Sequence, residues 1–242
     1  ITKEPVPISP TCHYSMGGLE MADFHTGATR VKGIYTAGEC SCVSVHGANR
    51  LGANSLSEVL VFGQAAGEGA ANYAKAEKFA GSSAKLKEDA KKWLDKFAEV
   101  TGRSHLANKT VPEIRDAMVN TMWFKAGVFR EEGELQEAAK ELAGLEKEYE
   151  RCYVGDTSHV YNTAFSQYIE LGNLLQISHA IVQGALARKE SRGGHTRRDY
   201  PKRDDKNFLK HTLIFKDKAN GSYRTEYKDV VITKYQPKER KY

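Results

Sequence analysis

Apolar positions along this chain recur with a helical period in five stretches, and with a strand-like pattern only near the two ends. At Asn54 a Gly-, Ser- and Thr-rich texture gives way to small and apolar residues that run through Ala76. This predicts a helix that Asn54 or Ser55 can cap, with Glu58 in its first turns and with Ala and Gly positions suited to close packing. After Gly81-Ser82-Ser83, the stretch Lys85–Val100 puts Leu86, Ala90, Trp93, Leu94 and Phe97 on one face and lysines on the other. Pro112 opens a third helix that runs to about Phe129, at a position where the missing N–H of proline costs nothing. Gly133 through Cys152 reads as a fourth, apolar at Leu135, Ala138, Leu142, Leu145 and Tyr149. The long region Asn162 to Arg188 follows, with a break expected near Gly172-Asn173.

The strand signals are shorter. Gly33 to Gly38 reads as a buried strand ending in a tight turn. Near the other end, His211–Phe215 and Ser222–Tyr227 flank Asn220-Gly221, a pair that accepts the positive φ of a type I′ hairpin turn, and Val230–Thr233 would add a third strand. The expected class is α+β, with a loop- and strand-containing part over residues 1–80, a helical bundle over 81–195, and a basic segment with a β-hairpin tail over 196–242.

Composition narrows the class only modestly. With 242 residues, 40% hydrophobic and 28% charged, the chain reads as globular rather than disordered. Leu171–Ala187 and Ser55–Ala71, its longest mostly apolar stretches, are too short or too polar to span a bilayer, so any membrane association is expected through a partner. The start at Ile1, without methionine or signal-peptide pattern, reads as a piece of a longer or processed protein. Cys12, Cys40, Cys42 and Cys152 are too few for a disulfide framework and Cys40-Ser41-Cys42 is too tight for a common zinc pair, so free thiols and no metal site are expected. The formal charge of +5 concentrates in Arg188–Lys210, but Glu190, Asp199, Asp204 and Asp205 interrupt that run. No nucleic-acid module surrounds it, so nucleic acid is not expected as a partner, and an anionic ligand or acidic partner fits better.

Two clusters carry candidate chemistry. The first is His13-Tyr14-Ser15-Met16-Gly17-Gly18. The second is Gly38-Glu39 followed by the loop His46 to Ser55-Leu56, which feeds a helix start. Free N–H groups in a first helical turn, helped by the helix dipole, suit an anion or an electron-rich carbonyl. Arg50 just before it adds a planar two-pronged donor for a carboxylate. Taken alone, the pattern is equally that of a capped helix with a surface arginine.

The residues His13 to Gly18, Gly38-Glu39-Cys40 and the run His-Gly-Ala-Asn-Arg-Leu-Gly-Ala-Asn-Ser-Leu at 46 to 56 closely resemble motifs of the succinate dehydrogenase and fumarate reductase flavoprotein family. Asp156-Thr157-Ser158, Ile169-Glu170-Leu171-Gly172, Ala187 to His195 and Arg203 to Thr212 resemble it too, so the likeness covers most of the chain and is weakest from about 80 to 150. It implies that residues 1–80 are the C-terminal remnant of a Rossmann-like FAD-binding domain. It also implies that His13 and Arg50 hold one carboxylate of succinate or fumarate, that Glu39 binds the ribityl chain of FAD, and that Ser55, Leu56 and Asn54 lie at the flavin. His46 and Asn49 are expected to hold the loop, and Arg192 and His195 to serve contacts between the helical and flavin domains. The family's proton-donating arginine and flavin-linking histidine find no counterpart here and are expected upstream, which leaves no catalytic residue in this stretch and predicts that it is inactive alone.

The same resemblance implies electron exchange with an iron–sulfur subunit and a quinone, and peripheral placement on the inner face of the cytoplasmic or mitochondrial inner membrane, with a membrane-anchor subunit contacted only indirectly. L-aspartate oxidase shares the His and Arg motifs and is one alternative. The other is a helical docking module without catalysis of its own.

Overall fold

The computed structural model describes residues 3–8, 12–77, 83–103, 109–217 and 219–238. The chain divides into two compact units, one of residues 1–96 with Arg192–Gly194 and one of residues 97–191 with 195–242.

The first unit has little regular sheet. Strands β1 (Leu19–Glu20) and β2 (Ser41–Cys42) pair in parallel, and a single 3-10 turn at Gly38–Cys40 leads into β2. The expected strand over residues 33–38 does not form. Instead, Ile34 bonds back to Val31 and Tyr35 makes one isolated bridge to Ala28, because the segment spends its backbone groups in tight turns. Helix α1 (Asn54–Ala76) follows, and helix α2 (Ser83–Thr101) comes after the predicted linker, with its residues up to Lys96 in this unit and the rest in the second.

The second unit is a helical bundle. α3 (Val111–Lys125) starts in a complete capping box, in which Thr110 accepts from the Glu113 amide while the Glu113 carboxylate takes the Thr110 amide. After β3 (Phe129–Arg130), α4 (Glu132–Tyr149) and α5 (Thr163–Ala187) bury their periodic faces against each other and against α3. Ile114, Leu135, Leu142 and Leu171 are fully buried there.

The break expected at Gly172-Asn173 is absent, and α5 runs through it. Gly172 makes room rather than a kink, since a Cβ there would come within 2.5 Å of the Tyr149 hydroxyl. Tyr149 is itself stacked on Tyr168 with ring centroids 4.7 Å apart.

The remainder of this unit holds β4 (Thr196–Arg197), parallel to β3, the short helix α6 (Asp205–Phe208), and the antiparallel pair β5 (Lys210–Lys216) and β6 (Tyr223–Asp229). The hairpin is where the pattern placed it, but its turn is longer than a two-residue type I′ turn. The Asp217 amide donates to the Ser222 carbonyl and the Gly221 amide to the Asp217 carbonyl, and of the Asn220-Gly221 pair only Gly221 takes a positive φ. Residues 230–233 do not add a third strand.

The basic run turns much of its charge inward. Arg197 is fully buried, with Asp199 at 2.6 Å, Glu132 at 3.0 Å and the Ala185 carbonyl at 2.9 Å. Arg188 pairs with Glu190 and donates to the Phe208 carbonyl at 2.9 Å, and Arg203 pairs with Asp205 at 2.7 Å. Arg197 and Arg188 have donors met inside the fold, as a buried guanidinium requires, while Lys189, Arg198, Lys202 and Lys206 of the same run are exposed. No helix among the described residues is long and apolar enough to cross a membrane.

Candidate active site

The site lies within the first unit and is built from three short segments. Gly18 brings the first of them against the 3-10 turn: its φ is +124°, and a Cβ would come within 2.4 Å of the Cys40 carbonyl oxygen. Only glycine fits both demands. The turn is held from inside by Ser41, whose hydroxyl donates to the Gly38 carbonyl at 2.8 Å. It presents Glu39 at the surface, where one carboxylate oxygen accepts from the Ser15 amide at 2.9 Å.

The third segment, residues 46–56, departs from expectation at its helix start. Neither Asn54 nor Ser55 caps α1. Its N-cap is Ala53, in a left-handed conformation with φ 63° and ψ −11°, and makes no side-chain cap bond. The two polar side chains are engaged elsewhere: Asn54 Nδ2 donates to His46 Nδ1 at 3.0 Å, and Ser55 Oγ accepts from the Arg50 guanidinium at 3.3 Å. Among the described residues no side chain caps the first turn of α1; the Asn54 amide donates to the Leu51 carbonyl and the Leu56 amide to the Ala53 carbonyl, at the end of the helix where the dipole is positive.

Arg50 is the most constrained of the predicted residues. Its guanidinium carbon stands 4.8 Å from the centroid of the Tyr14 ring, a cation–π arrangement, and its Nε is buried without a hydrogen-bond partner. An unpaired buried donor is costly, and a carboxylate is a natural acceptor for it. His13 is exposed on the chain segment beside Tyr14 and joins none of these bonds. Leu56 is 66% exposed at the opening of α1.

Beneath Arg50 lies a buried polar network. Glu58, 3% exposed, takes the Tyr14 hydroxyl at 2.7 Å and meets His46 Nε2 at 2.7 Å. Burial, followed by the hydrogen bond to Glu58 and its charge, pushes the Tyr14 phenol up to about 12. His46 thus holds the loop as expected, through Asn54 and Glu58. The sequence pattern contains Tyr14 and Glu58 but assigns neither a role; a lone acid in the first turns of an Ala- and Gly-rich helix is the signal that marks Glu58.

Against known proteins, the family described as "Fumarate reductase flavoprotein C-term" matches residues 115–242, and "FAD binding domain" matches residues 1–56. The chain belongs to the fumarate reductase and succinate dehydrogenase flavoprotein family. It is 43% identical to the 8-methylmenaquinol:fumarate reductase flavoprotein subunit of Wolinella succinogenes over 242 residues, which is all of this chain and 39% of that protein. It is also 43% identical to the fumarate reductase flavoprotein subunit of Haemophilus influenzae, covering 99% of this chain and 39% of that one. A solved structure of Escherichia coli quinol fumarate reductase superposes with a TM-score of 0.87 at 41% identity, over 98% of this chain and 40% of that chain. The chain thus spans about two fifths of the length of these relatives. FAD is the cofactor of this flavoprotein family, and the uncapped start of α1 with Glu39 nearby provides groups that fit part of it: a positive helix end for an electron-rich carbonyl and a carboxylate for hydroxyl donors.

Proposed function

We propose that the protein containing this chain is an FAD-dependent oxidoreductase that interconverts succinate and fumarate, and that this chain supplies one end of its dicarboxylate site. The observation that carries the reading is Arg50: its guanidinium is fixed over Tyr14 and has a buried, unpartnered Nε. A guanidinium so placed binds a planar carboxylate by charge and by paired donors, and His13 beside Tyr14 contributes a second donor. A fumarate carboxylate fixed in this way would be turned out of conjugation with the carbon–carbon double bond, and either substrate would be oriented for reaction.

FAD, when bound, supplies the two-electron chemistry. Ser55, Leu56 and Asn54 at the opening of α1 would face its electron-rich carbonyl, and Glu39 would take its ribityl hydroxyls. Electrons would pass to an iron–sulfur subunit and a quinone, and the protein would sit peripherally on the inner face of the cytoplasmic or mitochondrial inner membrane through partner subunits. The match of residues 115–242 to the fumarate reductase family favours this reading over L-aspartate oxidase and over a docking module without catalysis.

The test is succinate-dependent dye reduction and flavin absorbance on the full-length protein, wild type beside Arg50→Ala and His13→Ala. Both variants are expected to keep the flavin, with Arg50→Ala losing at least about 100-fold in kcat/KM, as expected when a charged hydrogen-bonding partner of a bound carboxylate is removed. Full activity in either variant would remove that residue from the site, and oxidation of aspartate in place of succinate would replace the substrate.

A further inference from the structure

Helix α1 runs for 23 residues, and among the described residues its buried position is occupied by a carboxylate, Glu58, while Leu56, Val59, Leu60 and Val61 are exposed. A packing role would be filled equally well by an apolar side chain, without the cost of removing a charge from water. Glu58 instead takes two charge-assisted bonds, from Tyr14 and from His46. The direction of the second follows from Asn54: its Nδ2 can only donate, so His46 Nδ1 accepts and the ring proton lies on Nε2, directed at Glu58.

Tyr14 is gripped at both ends. Its hydroxyl is fixed by Glu58, and its ring face lies 4.8 Å from the Arg50 guanidinium carbon. A phenol that donates to a carboxylate has a more electron-rich ring, which strengthens the attraction for a cation over its face. The other described contact of Arg50 is the 3.3 Å bond to Ser55, and its Nε has no partner, so the ring is the main device that sets the guanidinium plane. We propose that Glu58 is a positioning residue of the dicarboxylate site: its buried carboxylate locks Tyr14 and His46 and, through the Tyr14 ring, holds Arg50 in the orientation that receives a substrate carboxylate. The proposal rests on the reading of Arg50 as a carboxylate-binding residue.

The test uses the full-length holoenzyme and malonate, a dicarboxylate that cannot react, with binding read from the perturbation of the flavin spectrum beside KM and kcat for succinate. Glu58→Gln is expected to keep the flavin, to weaken malonate and raise the succinate KM by about tenfold, the size expected when a charge-assisted hydrogen bond is lost, and to change kcat less. Glu58→Asp should recover part of the loss. In an Arg50→Lys background, Glu58→Gln should add little further loss, because its effect is exerted through the guanidinium. If Glu58→Gln loses flavin, Tyr14→Phe carries the test: it keeps the ring, frees the hydroxyl end, and should weaken malonate in the same direction. Wild-type malonate binding in Glu58→Gln or in Tyr14→Phe, or a full additive loss on top of Arg50→Lys, overturns the proposal. Unchanged malonate binding in Arg50→Lys alone would instead remove the underlying assignment of Arg50.

Discussion

His195 sits between two fixed groups: its Nδ1 lies 2.9 Å from the Arg130 guanidinium, which can only donate, and its Nε2 donates to the Arg188 carbonyl at 3.0 Å. Burial first, and then the positive charges of Arg130, Arg188 and Arg197, lower its pKa to about 4, while the hydrogen bond to Arg188 opposes the shift. Between pH about 6.5 and about 4 the unfolded chain therefore binds a proton here that the folded chain does not. Stability is complete above the unfolded value and falls as pH drops through that window, by about 3 kcal/mol in total. Denaturant midpoints measured across pH 7 to 4 should show this slope, and His195→Gln should flatten it. The residue was legible in the sequence as part of Glu-Ser-Arg-Gly-Gly-His, but its protonation state was not, because Arg130 lies 65 positions away. The same limit explains Tyr14 and Glu58: each is an ordinary residue in its own motif, and only the approach of segments 44 positions apart makes them a pair.

Among the elements, the helices of the bundle were legible because their apolar faces repeat at helical spacing, and Leu135, Ala138, Leu142 and Leu145 are buried as read. What failed was local punctuation. Gly172-Asn173 read as a breaker, yet in α5 the glycine answers a steric demand from α4. Asn54 and Ser55 read as caps, yet their side chains are drawn to His46 and Arg50. In the first case a contact between helices overrides a local preference, and in the second other partners within the same loop draw the side chains away from the cap.

This gives a prediction at the same scale. Tyr149 cannot swing freely away from Gly172, since its ring is stacked on buried Tyr168. Gly172→Ala should therefore destabilise the bundle by about 1–3 kcal/mol through overpacking, despite the better helix propensity of alanine. Tyr149→Phe, which removes the nearest atom, should restore part of the loss in a denaturant titration of the double variant.

At the scale of the whole molecule, the distribution of apolar surface differs between the units. In the second, the buried faces of α3, α4 and α5 close over Ile114, Leu142, Leu171 and Leu175, each exposed by 1% or less. In the first, α1 leaves Leu56, Leu60 and Val61 at 66%, 74% and 62% exposure, on a helix that is itself rich in Ala and Gly. Exposed large apolar side chains of this kind, on a chain that spans about two fifths of its relatives, favour association in water. The 242-residue chain on its own should therefore self-associate, with a sedimentation profile that shifts to larger species as concentration rises and with bound hydrophobic dye. The double variant Leu60→Glu, Val61→Lys changes only exposed side chains in mid-helix, so it should reduce association and dye binding while leaving the unfolding midpoint nearly unchanged. Association that persists in this variant would shift attention to the exposed Trp123 and Phe124 of α3, at 51% and 70%.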